Sequence, residues 1–144
     1  MFIVICVDDD PIILQMLDFQ LRKNLVHPAL TFEFFENPET ATLAIEEMSL
    51  LGLQPLVLIT DYQMPEMTGA QLIRNIKKAI PSMNCLMLSG QANAIQIDDL
   101  VQEDLLDAFI TKPWDEHELM NALVPILESK NISINYSQNG WKYT

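Results

Sequence analysis

The chain has 144 residues, of which 49% are hydrophobic, and this size and composition are typical of one folded domain. Its 20 acidic residues outnumber its 8 basic residues, so the net charge at pH 7 is −12. Binding to nucleic-acid phosphates and docking on anionic lipid both need a basic surface. We therefore expect no direct contact with nucleic acid and no membrane association.

The first residues of the chain are apolar, but the run is too short to cross a membrane, which takes roughly 20 residues. Residues 1–7 have no basic leader and run directly into three aspartates, which favours a buried strand over a signal peptide. Cys6 and Cys85 both lie in strand-like runs. Without a secretion signal, we interpret them as reduced core residues and expect a cytoplasmic protein.

Apolar runs alternate with helical patterns along the chain. Strands are predicted at residues 2–7, 30–35, 56–60, 85–88 and 108–111. Helices are predicted from 11 to about 25, from 38 to near Gly52, at 69–80, at about 95–105 and at 115–127. Asn37 is the expected N-cap of the second helix. Pro125 lies inside the last helix and should kink it or end it early.

This alternation of five strands and five helices predicts an α/β fold with a parallel sheet covered on both faces. Right-handed crossovers leave few topologies, and the doubly wound orders are the common ones. If the sheet has the three-layer, flavodoxin-like order 2-1-3-4-5, its first and third strands are neighbours. Residues 1–128 form the predicted domain. Residues 129–144 form a polar C-terminal tail in which Tyr136, Trp141 and Tyr143 are scattered.

Acidic residues follow two strands that this order makes neighbours. Asp8 and Asp9 follow the first strand and Asp61 follows the third, so all three should meet at the switch point where such sheets bind ligands. Carboxylates about 4 Å apart repel by about 4 kcal/mol per pair at an effective dielectric constant of about 20. A few hard oxygen ligands with room for water suit Mg²⁺. Asp10 has an ordinary interpretation as the cap of the first helix.

Two further polar residues follow the fourth and fifth strands. Lys112 precedes Pro113 in a segment dense in acids, where its ammonium can neutralise the aspartates and then pair with a phosphoryl group. Ser89 could donate a hydroxyl hydrogen bond to a phosphoryl oxygen. Taken alone, Lys112 could be a solvated lysine beside a proline, and Ser89 could be a turn residue before Gly90.

Other chemistry is poorly supported by the sequence. His27 and His117 have no metal-ligand or triad spacing around them, and we assign both to the surface. With only four glycines, the chain has no Gly-rich loop for a dinucleotide or nucleotide phosphate.

These residues together resemble a response-regulator receiver domain of two-component signalling, over about residues 1–128. The most specific part of the resemblance is the segment from Asp61 through Met64 and Pro65 to Gly69, which is similar to the family's phosphoacceptor loop. The aspartate pair after the first strand, Ser89, and the lysine–proline pair after the fifth strand all fall in register with it.

The resemblance implies a role for each residue of the site. Asp61 would be the phosphoacceptor, and Mg²⁺ would be bound by Asp8, Asp9, Asp61 and the backbone carbonyl of Gln63. Lys112 would contact the phosphoryl group, and Ser89 stands where the family has Ser or Thr.

Four other positions take weaker assignments. Phe109 stands at the position of an aromatic rotamer switch that acts with Ser89, although a core aromatic on a short strand explains it equally well. Gly90 would keep the approach to Asp61 open. Gln63 and Gln91 stand at variable positions thought to tune hydrolysis of the phosphoaspartate.

The resemblance also implies a signalling protein rather than an enzyme. Asp61 would receive a phosphoryl group from a sensor histidine kinase or a phosphotransfer protein and then switch a partner-binding face. From Asp98 to Glu118 the sequence has eight acids, and Lys112 is the only lysine or arginine. A solvated acidic surface explains this equally well, but two such surfaces would repel each other in a symmetric dimer, so we hypothesise a downstream partner with a basic surface. These acids are Asp98, Asp99, Glu103, Asp104, Asp107, Asp115, Glu116 and Glu118.

Three alternatives remain at this point. A haloacid-dehalogenase-like phosphatase also uses an aspartyl nucleophile, but it places a second acid two residues later, where this chain has Gln63. A receiver-like module could act without phosphorylation. The chain could also be the N-terminal receiver of a longer transcriptional or enzymatic regulator.

Overall fold

The structure, a computed structural model, describes residues 1–90 and 94–134, and only the backbone of residues 94–96. The strands are β1 (Phe2–Val7), β2 (Leu30–Phe35), β3 (Gln54–Thr60), β4 (Asn84–Ser89) and β5 (Ala108–Thr111). The helices are α1 (Pro11–Asn24), α2 (Pro38–Leu50), α3 (Gly69–Ala79), α4 (Ala94–Gln102) and α5 (Glu116–Ser129). Strands and helices alternate as the sequence predicts.

The five strands form one parallel sheet in the order β2-β1-β3-β4-β5, which confirms the predicted topology. Helices α1 and α5 bury their apolar residues on one face of the sheet, and α2, α3 and α4 bury theirs on the other. In the register of the central strands, Val7 pairs with Thr60. The residues that follow β1 and β3 therefore emerge side by side at one edge of the sheet.

Helix caps fix where the chain turns back from the sheet. The carboxylate of Asp10 accepts from Ile12 N and caps α1, and the Asn37 side chain caps α2, as expected. Thr68 and Gln71 form a capping box at the start of α3, in which each side chain bonds the backbone of the other. These caps satisfy N–H groups that the first helical turn leaves without partners.

Two helix ends differ from the sequence prediction. α4 ends at Gln102, three residues earlier than expected, because Asp104 adopts a left-handed conformation (φ 58°) and Leu105 N donates back to Leu100 O. This is the Schellman arrangement that terminates helices. Of the two outcomes expected at Pro125, the early end of the helix is wrong, since α5 continues to Ser129, and the kink stays a prediction. Pro125 is exposed, and so is Asn121, the residue four positions earlier whose carbonyl loses its amide partner, while Leu123 and Leu127 are buried in the core.

The chain beyond α5 also contributes to the core. Ile132 and Ile134 are buried in the cluster that contains the apolar residues of α1 and α5, and Ile132 N donates to Leu127 O. The domain boundary after residue 128 remains a prediction, but the apolar core extends past it. Residues 135–144, with Tyr136, Trp141 and Tyr143, lie outside the described residues. In the part of the chain that the structure describes, no helix is long and apolar enough to span a membrane.

We expect Ile132→Ala to destabilise the fold by about 2–4 kcal/mol, because only 1% of Ile132 is exposed and the substitution leaves a cavity in the core. Chemical denaturation followed by circular dichroism measures the change. Ser133→Ala is the matched control, since Ser133 is exposed, and it should change stability by less than about 0.5 kcal/mol. Equal stabilities for the two variants would show that the segment is not part of the core.

Candidate functional site

Asp8 is the most deeply buried carboxylate of the site, with 2% of its surface exposed. It directly follows β1, and its backbone N–H donates to Phe35 O at the end of β2. Its Oδ1 accepts from Asp10 N at 2.9 Å, and its Oδ2 accepts from Lys112 Nζ at 2.7 Å. The side chain is thus held between a backbone amide and an ammonium, and it points into the space beyond the sheet.

Asp61 follows β3 and stands beside Asp8. Its backbone N–H donates to Val7 O at 3.0 Å, so the adjacent strand fixes its position. Its Oδ1 accepts from Tyr62 N at 2.8 Å, and its Oδ2 lies 3.4 Å from Lys112 Nζ. One carboxylate oxygen is therefore held by the backbone, while the other faces the lysine.

Lys112 joins the two carboxylates across the sheet. It follows β5, and its backbone N–H donates to Ser89 O at the end of β4. Its side chain reaches from there to Asp8 and Asp61, the second carboxylate at the longer distance. The peptide bond from Lys112 to Pro113 is cis. The sequence places this lysine at a strand end, and the structure brings its ammonium to the aspartates of two other strands.

Asp9 completes a group of three carboxylates. Asp8, Asp9 and Asp61 each offer an oxygen, and these three atoms lie within 4.8 Å of one another. Asp9 is exposed and Asp8 is buried, so solvent reaches the group at Asp9. Oxygen ligands in this number, with an open side for water, fit Mg²⁺.

These residues line a cavity of about 340 Å³ at the carboxyl edge of the sheet. Ser89 is buried and lines it, and the exposed residues Gln63 and Gly90 lie at its rim. A Cβ added to Gly90 would meet Lys112 at an ordinary 3.7 Å, so space at this position does not require glycine. Gln91 lies outside the described residues.

Gly69 has a positional role that the sequence analysis missed. A Cβ at this position would lie 2.1 Å from Asp61 O, and Gly69 N donates to Tyr62 O at 2.7 Å. The start of α3 therefore packs directly on the backbone that carries Asp61. In the sequence, the sign of this role is a glycine at the first position of a predicted helix. It does not reveal that the glycine lies against the backbone oxygen of Asp61.

Burial raises the pKa of the Asp8 carboxyl above its ordinary value, and the nearby charge of Asp61 acts in the same direction. The Lys112 ammonium and the amide of Asp10 lower the pKa, but they do not outweigh the loss of solvation. Lys112 is shared with Asp61, so its charge compensates neither carboxylate fully. The site therefore favours whatever neutralises Asp8, whether a proton or a cation.

Phe109 lies on β5 opposite Met87 and is 37% exposed. The alternative interpretation as a core aromatic is therefore wrong. Its proposed role as a switch residue remains a prediction.

The remaining candidate groups have structural explanations. Burial raises the pKa of the Cys85 thiol to about 12, and that of Cys6 still further, so both thiols stay protonated in the core. Both histidines are half-buried, and His27 Nδ1 accepts from Ala29 N.

The acidic residues between Asp98 and Glu118 are not one uniform surface. Asp107 accepts from Cys85 N, and Asp115 and Glu118 form the capping box of α5. Two others pair with basic residues of other helices: Glu103 with Arg74 at 3.2 Å and Glu116 with Lys23 at 3.2 Å. Three more acids are exposed, namely Asp98, Asp99 and Asp104.

The family model described as response regulator receiver domain matches residues 4–124. The chain belongs to this family. Receiver domains are signalling modules that are phosphorylated by histidine kinases. The structural match agrees: a signal receiver domain of an HD domain-containing protein from Pseudomonas fluorescens Pf-5 superposes with a TM-score of 0.75 at 26% identity, covering 90% of this chain and 96% of that one.

Similar receivers occur within much longer proteins. The transcriptional regulatory protein GlrR of Escherichia coli strain K12 is 29% identical over 126 residues, which are 87% of this chain and 26% of GlrR. The sensor kinase CckA of Brucella abortus strain 2308 is 30% identical over 88 residues, which are 61% of this chain and 9% of CckA. This receiver thus spans about a quarter of the length of GlrR.

We expect Gly69→Ala to destabilise the receiver by about 1–3 kcal/mol, because the added methyl group must push α3 away from the backbone of Asp61. Gly90→Ala is the control, since its Cβ has room, and it should change stability by less than about 0.5 kcal/mol. Urea denaturation of both variants tests the prediction. It fails if Gly69→Ala is as stable as the control.

The raised pKa of Asp8 predicts a pH dependence of stability in the absence of metal. At a pH between the unfolded and the folded pKa, the folded chain holds a proton on Asp8 that the unfolded chain has released, and this proton stabilises the folded state. The stabilisation is present in full below the unfolded pKa and is lost as the pH rises through the folded pKa. The contribution of Asp8 to the stability of the metal-free receiver should therefore grow as the pH falls from neutral towards the ordinary aspartate pKa of about 4.

Denaturant unfolding in the presence of a chelator measures this dependence. Asp8→Asn removes the titrating group, so its stability should change less over the same pH range. A dependence in Asp8→Asn as steep as in the parent chain would contradict the assignment to Asp8.

Proposed function

We propose that this receiver accepts a phosphoryl group on Asp61 in a two-component phosphorelay and uses it to switch a partner-binding face. The observation that carries the proposal is the convergence of Asp8, Asp61 and Lys112 from three strands, with Lys112 Nζ 2.7 Å from one carboxylate and 3.4 Å from the other. Such a group serves no packing purpose, because burying charges weakens a fold unless they are well paired.

The transfer step uses the Asp61 carboxylate as a covalent nucleophile. An oxygen of Asp61 attacks phosphorus, the P–N bond of a phosphohistidine breaks in line with the new O–P bond, and the leaving imidazole nitrogen takes a proton. The product is an acyl phosphate on Asp61. Water later attacks the phosphoryl group, which restores the carboxylate and releases inorganic phosphate.

The chain's own residues position and neutralise the group that is transferred. Lys112 already spans Asp8 and Asp61, so a phosphoryl group on Asp61 arrives beside its ammonium and replaces a carboxylate as its partner. The Ser89 hydroxyl lines the same cavity and provides a hydrogen bond to a phosphoryl oxygen. Tyr62 N holds the other oxygen of the Asp61 carboxylate in place.

Mg²⁺ is the proposed cofactor. Asp8, Asp9, Asp61 and the backbone carbonyl of Gln63 would hold it. It would supply positive charge that offsets the negative charge of the carboxylates and of the phosphoryl oxygens during transfer.

The proposed output is a change in the packing of α4 and β5. Ser89 ends β4 and Phe109 lies on β5, so movement of Ser89 towards a phosphoryl group acts at the boundary of both elements. The exposed acids of α4 and the turn after it favour a downstream partner with a basic surface. By analogy with GlrR, the receiver would act within or beside a longer regulator, and the sensor kinase CckA illustrates a second such setting.

Labelling with a small acyl phosphate and Mg²⁺ tests the proposal. Intact mass spectrometry should show the gain of one phosphoryl group on the parent chain and none on Asp61→Asn. Asp98→Asn is the control, since Asp98 is an exposed aspartate of α4, and it should be labelled like the parent. Lys112→Met should be labelled at least about tenfold more slowly, because it loses the ammonium beside the transferred group.

Other outcomes point to the alternative functions. Equal labelling of Asp61→Asn and the parent would overturn the assignment of Asp61. No labelling of any variant would favour a receiver-like module that acts without phosphorylation. Repeated hydrolysis of a phosphomonoester would indicate a phosphatase of the haloacid-dehalogenase type. A receiver instead takes one phosphoryl group from a donor and holds it as an acyl phosphate.

A further inference from the structure

The loop between β5 and α5 carries Lys112 and is held from two sides. On one side, Lys112 N donates to Ser89 O at 3.2 Å, which ties the loop to the end of β4. On the other side, the indole of Trp114 packs against the apolar cluster that contains the buried residues of α1 and α5, and its Nε1–H donates to Gln20 Oε1 of α1 at 2.7 Å. Lys112 thus lies between an anchor on β4 and an anchor on α1.

A second contact ties the same region to the same helix. Glu116, the first residue of α5, pairs with Lys23 of α1 at 3.2 Å. Gln20 and Lys23 are three positions apart, so they are neighbours on the surface of α1. The ion pair is largely exposed to solvent, so it holds the loop less firmly than the partly buried hydrogen bond of Trp114 does.

The start of α1 holds the carboxylate with which Lys112 pairs. Asp10 caps α1 by accepting from Ile12 N, and Asp10 N donates to Asp8 Oδ1 at 2.9 Å. The other oxygen of Asp8 accepts from Lys112 Nζ at 2.7 Å. α1 is therefore linked to both partners of this ion pair, to Asp8 through its N-cap and to the Lys112 loop through Gln20.

The Lys112 side chain needs such support because its flexible stem loses conformational freedom when the ammonium is held between two carboxylates. Pro113, the next residue, is exposed and has no amide N–H to donate to a neighbouring strand. The side chain of Trp114 is therefore the nearest restraint on the loop after Lys112 that a hydrogen bond to another element provides.

We propose that Gln20 positions the Lys112 ammonium between Asp8 and Asp61 by accepting the hydrogen bond of Trp114. Loss of this bond frees the loop on its α5 side, so the ammonium lies at the two carboxylates for less of the time. The consequence for phosphoryl transfer rests on the function proposed above, in which Lys112 stands beside the transferred group. Gln20 is a positioning residue, since it acts on the site through Trp114 and Lys112.

The rate of labelling by a small acyl phosphate with Mg²⁺ tests this role. Gln20→Leu removes the acceptor, and we expect it to slow the labelling of Asp61 by about three- to tenfold. Trp114→Phe keeps an aromatic ring but removes the N–H, and it should slow labelling to a similar extent. Gln20→Glu keeps an oxygen acceptor and should be labelled like the parent. Gln15→Leu is the matched control, because Gln15 is an exposed glutamine of the same helix, and it should also be labelled like the parent.

A double-variant comparison separates positioning from a general effect on the fold. In a Lys112→Met background the ammonium is absent, so adding Gln20→Leu should change the rate by less than about twofold. Equal slowing by Gln20→Leu in the parent and in the Lys112→Met background would overturn the proposal. Parent-like rates for both Gln20→Leu and Trp114→Phe would overturn it as well.

Acetylation of Lys112 by acetic anhydride is a readout that does not need phosphorylation. Only 19% of the Lys112 side chain is exposed, and its amine must leave the two carboxylates to react. Peptide mass spectrometry measures this acetylation relative to that of Lys78, an exposed lysine of α3. We expect Gln20→Leu to raise the ratio by at least about threefold and Gln20→Glu to leave it unchanged.

The two readouts distinguish failure of the proposed function from failure of this inference. If the parent chain is not labelled by the acyl phosphate, the proposed function fails, while a raised acetylation ratio in Gln20→Leu still supports the positioning of Lys112. An acetylation ratio in Gln20→Leu equal to that of the parent would overturn the positioning role, whether or not Asp61 is labelled.

Discussion

A shared ammonium decides the electrostatics of this receiver. Among the described residues that line the cavity, Lys112 carries the only positive charge, and four aspartates line it as well. Each pair of carboxylates about 4 Å apart contributes about 4 kcal/mol of repulsion at an effective dielectric constant of about 20. One ammonium divided between Asp8 and Asp61 offsets part of this repulsion, and a cation bound by the carboxylates would offset more of it.

The parallel sheet makes this arrangement possible because it brings residues that are far apart in sequence to one edge. Lys112 and Asp8 are separated by 104 positions, yet their side chains meet at 2.7 Å. Backbone groups of neighbouring strands, Val7 O and Ser89 O, fix the main chain of Asp61 and Lys112. The close approach of Gly69 then keeps the Asp61 backbone against α3. The fold thus sets the position of each charge before any ligand binds.

The sequence predicted much of this, because strand periodicity and charge at strand ends are local signals. They predict the alternating strands and helices and the charged residues at the strand ends. The strand order, on which the meeting of Asp8, Asp61 and Lys112 depends, came instead from the small set of common doubly wound topologies. The contact of Gly69 with Asp61 O depends on backbone geometry that no local pattern encodes. The end of α4 depends on a non-glycine residue, Asp104, with positive φ, and the persistence of α5 depends on which side of the helix Pro125 faces. The burial of Ile132 and Ile134 was missed because the polar residues around them dominate the composition of the tail.

The acidic surface shows how tertiary contacts change an inference from charge counts. In the sequence, residues 98–118 contain eight acids and one lysine, which suggests strong electrostatic repulsion between two copies of this segment. In the structure, Glu103 and Glu116 pair with Arg74 and Lys23, and three other acids bond backbone amides. The remaining three, Asp98, Asp99 and Asp104, are exposed on α4 and the turn that follows it. Phe109, on β5, is exposed as well, and so is Val101 on α4. These elements therefore expose apolar side chains as well as carboxylates, so a partner that docked on them would meet both kinds of surface.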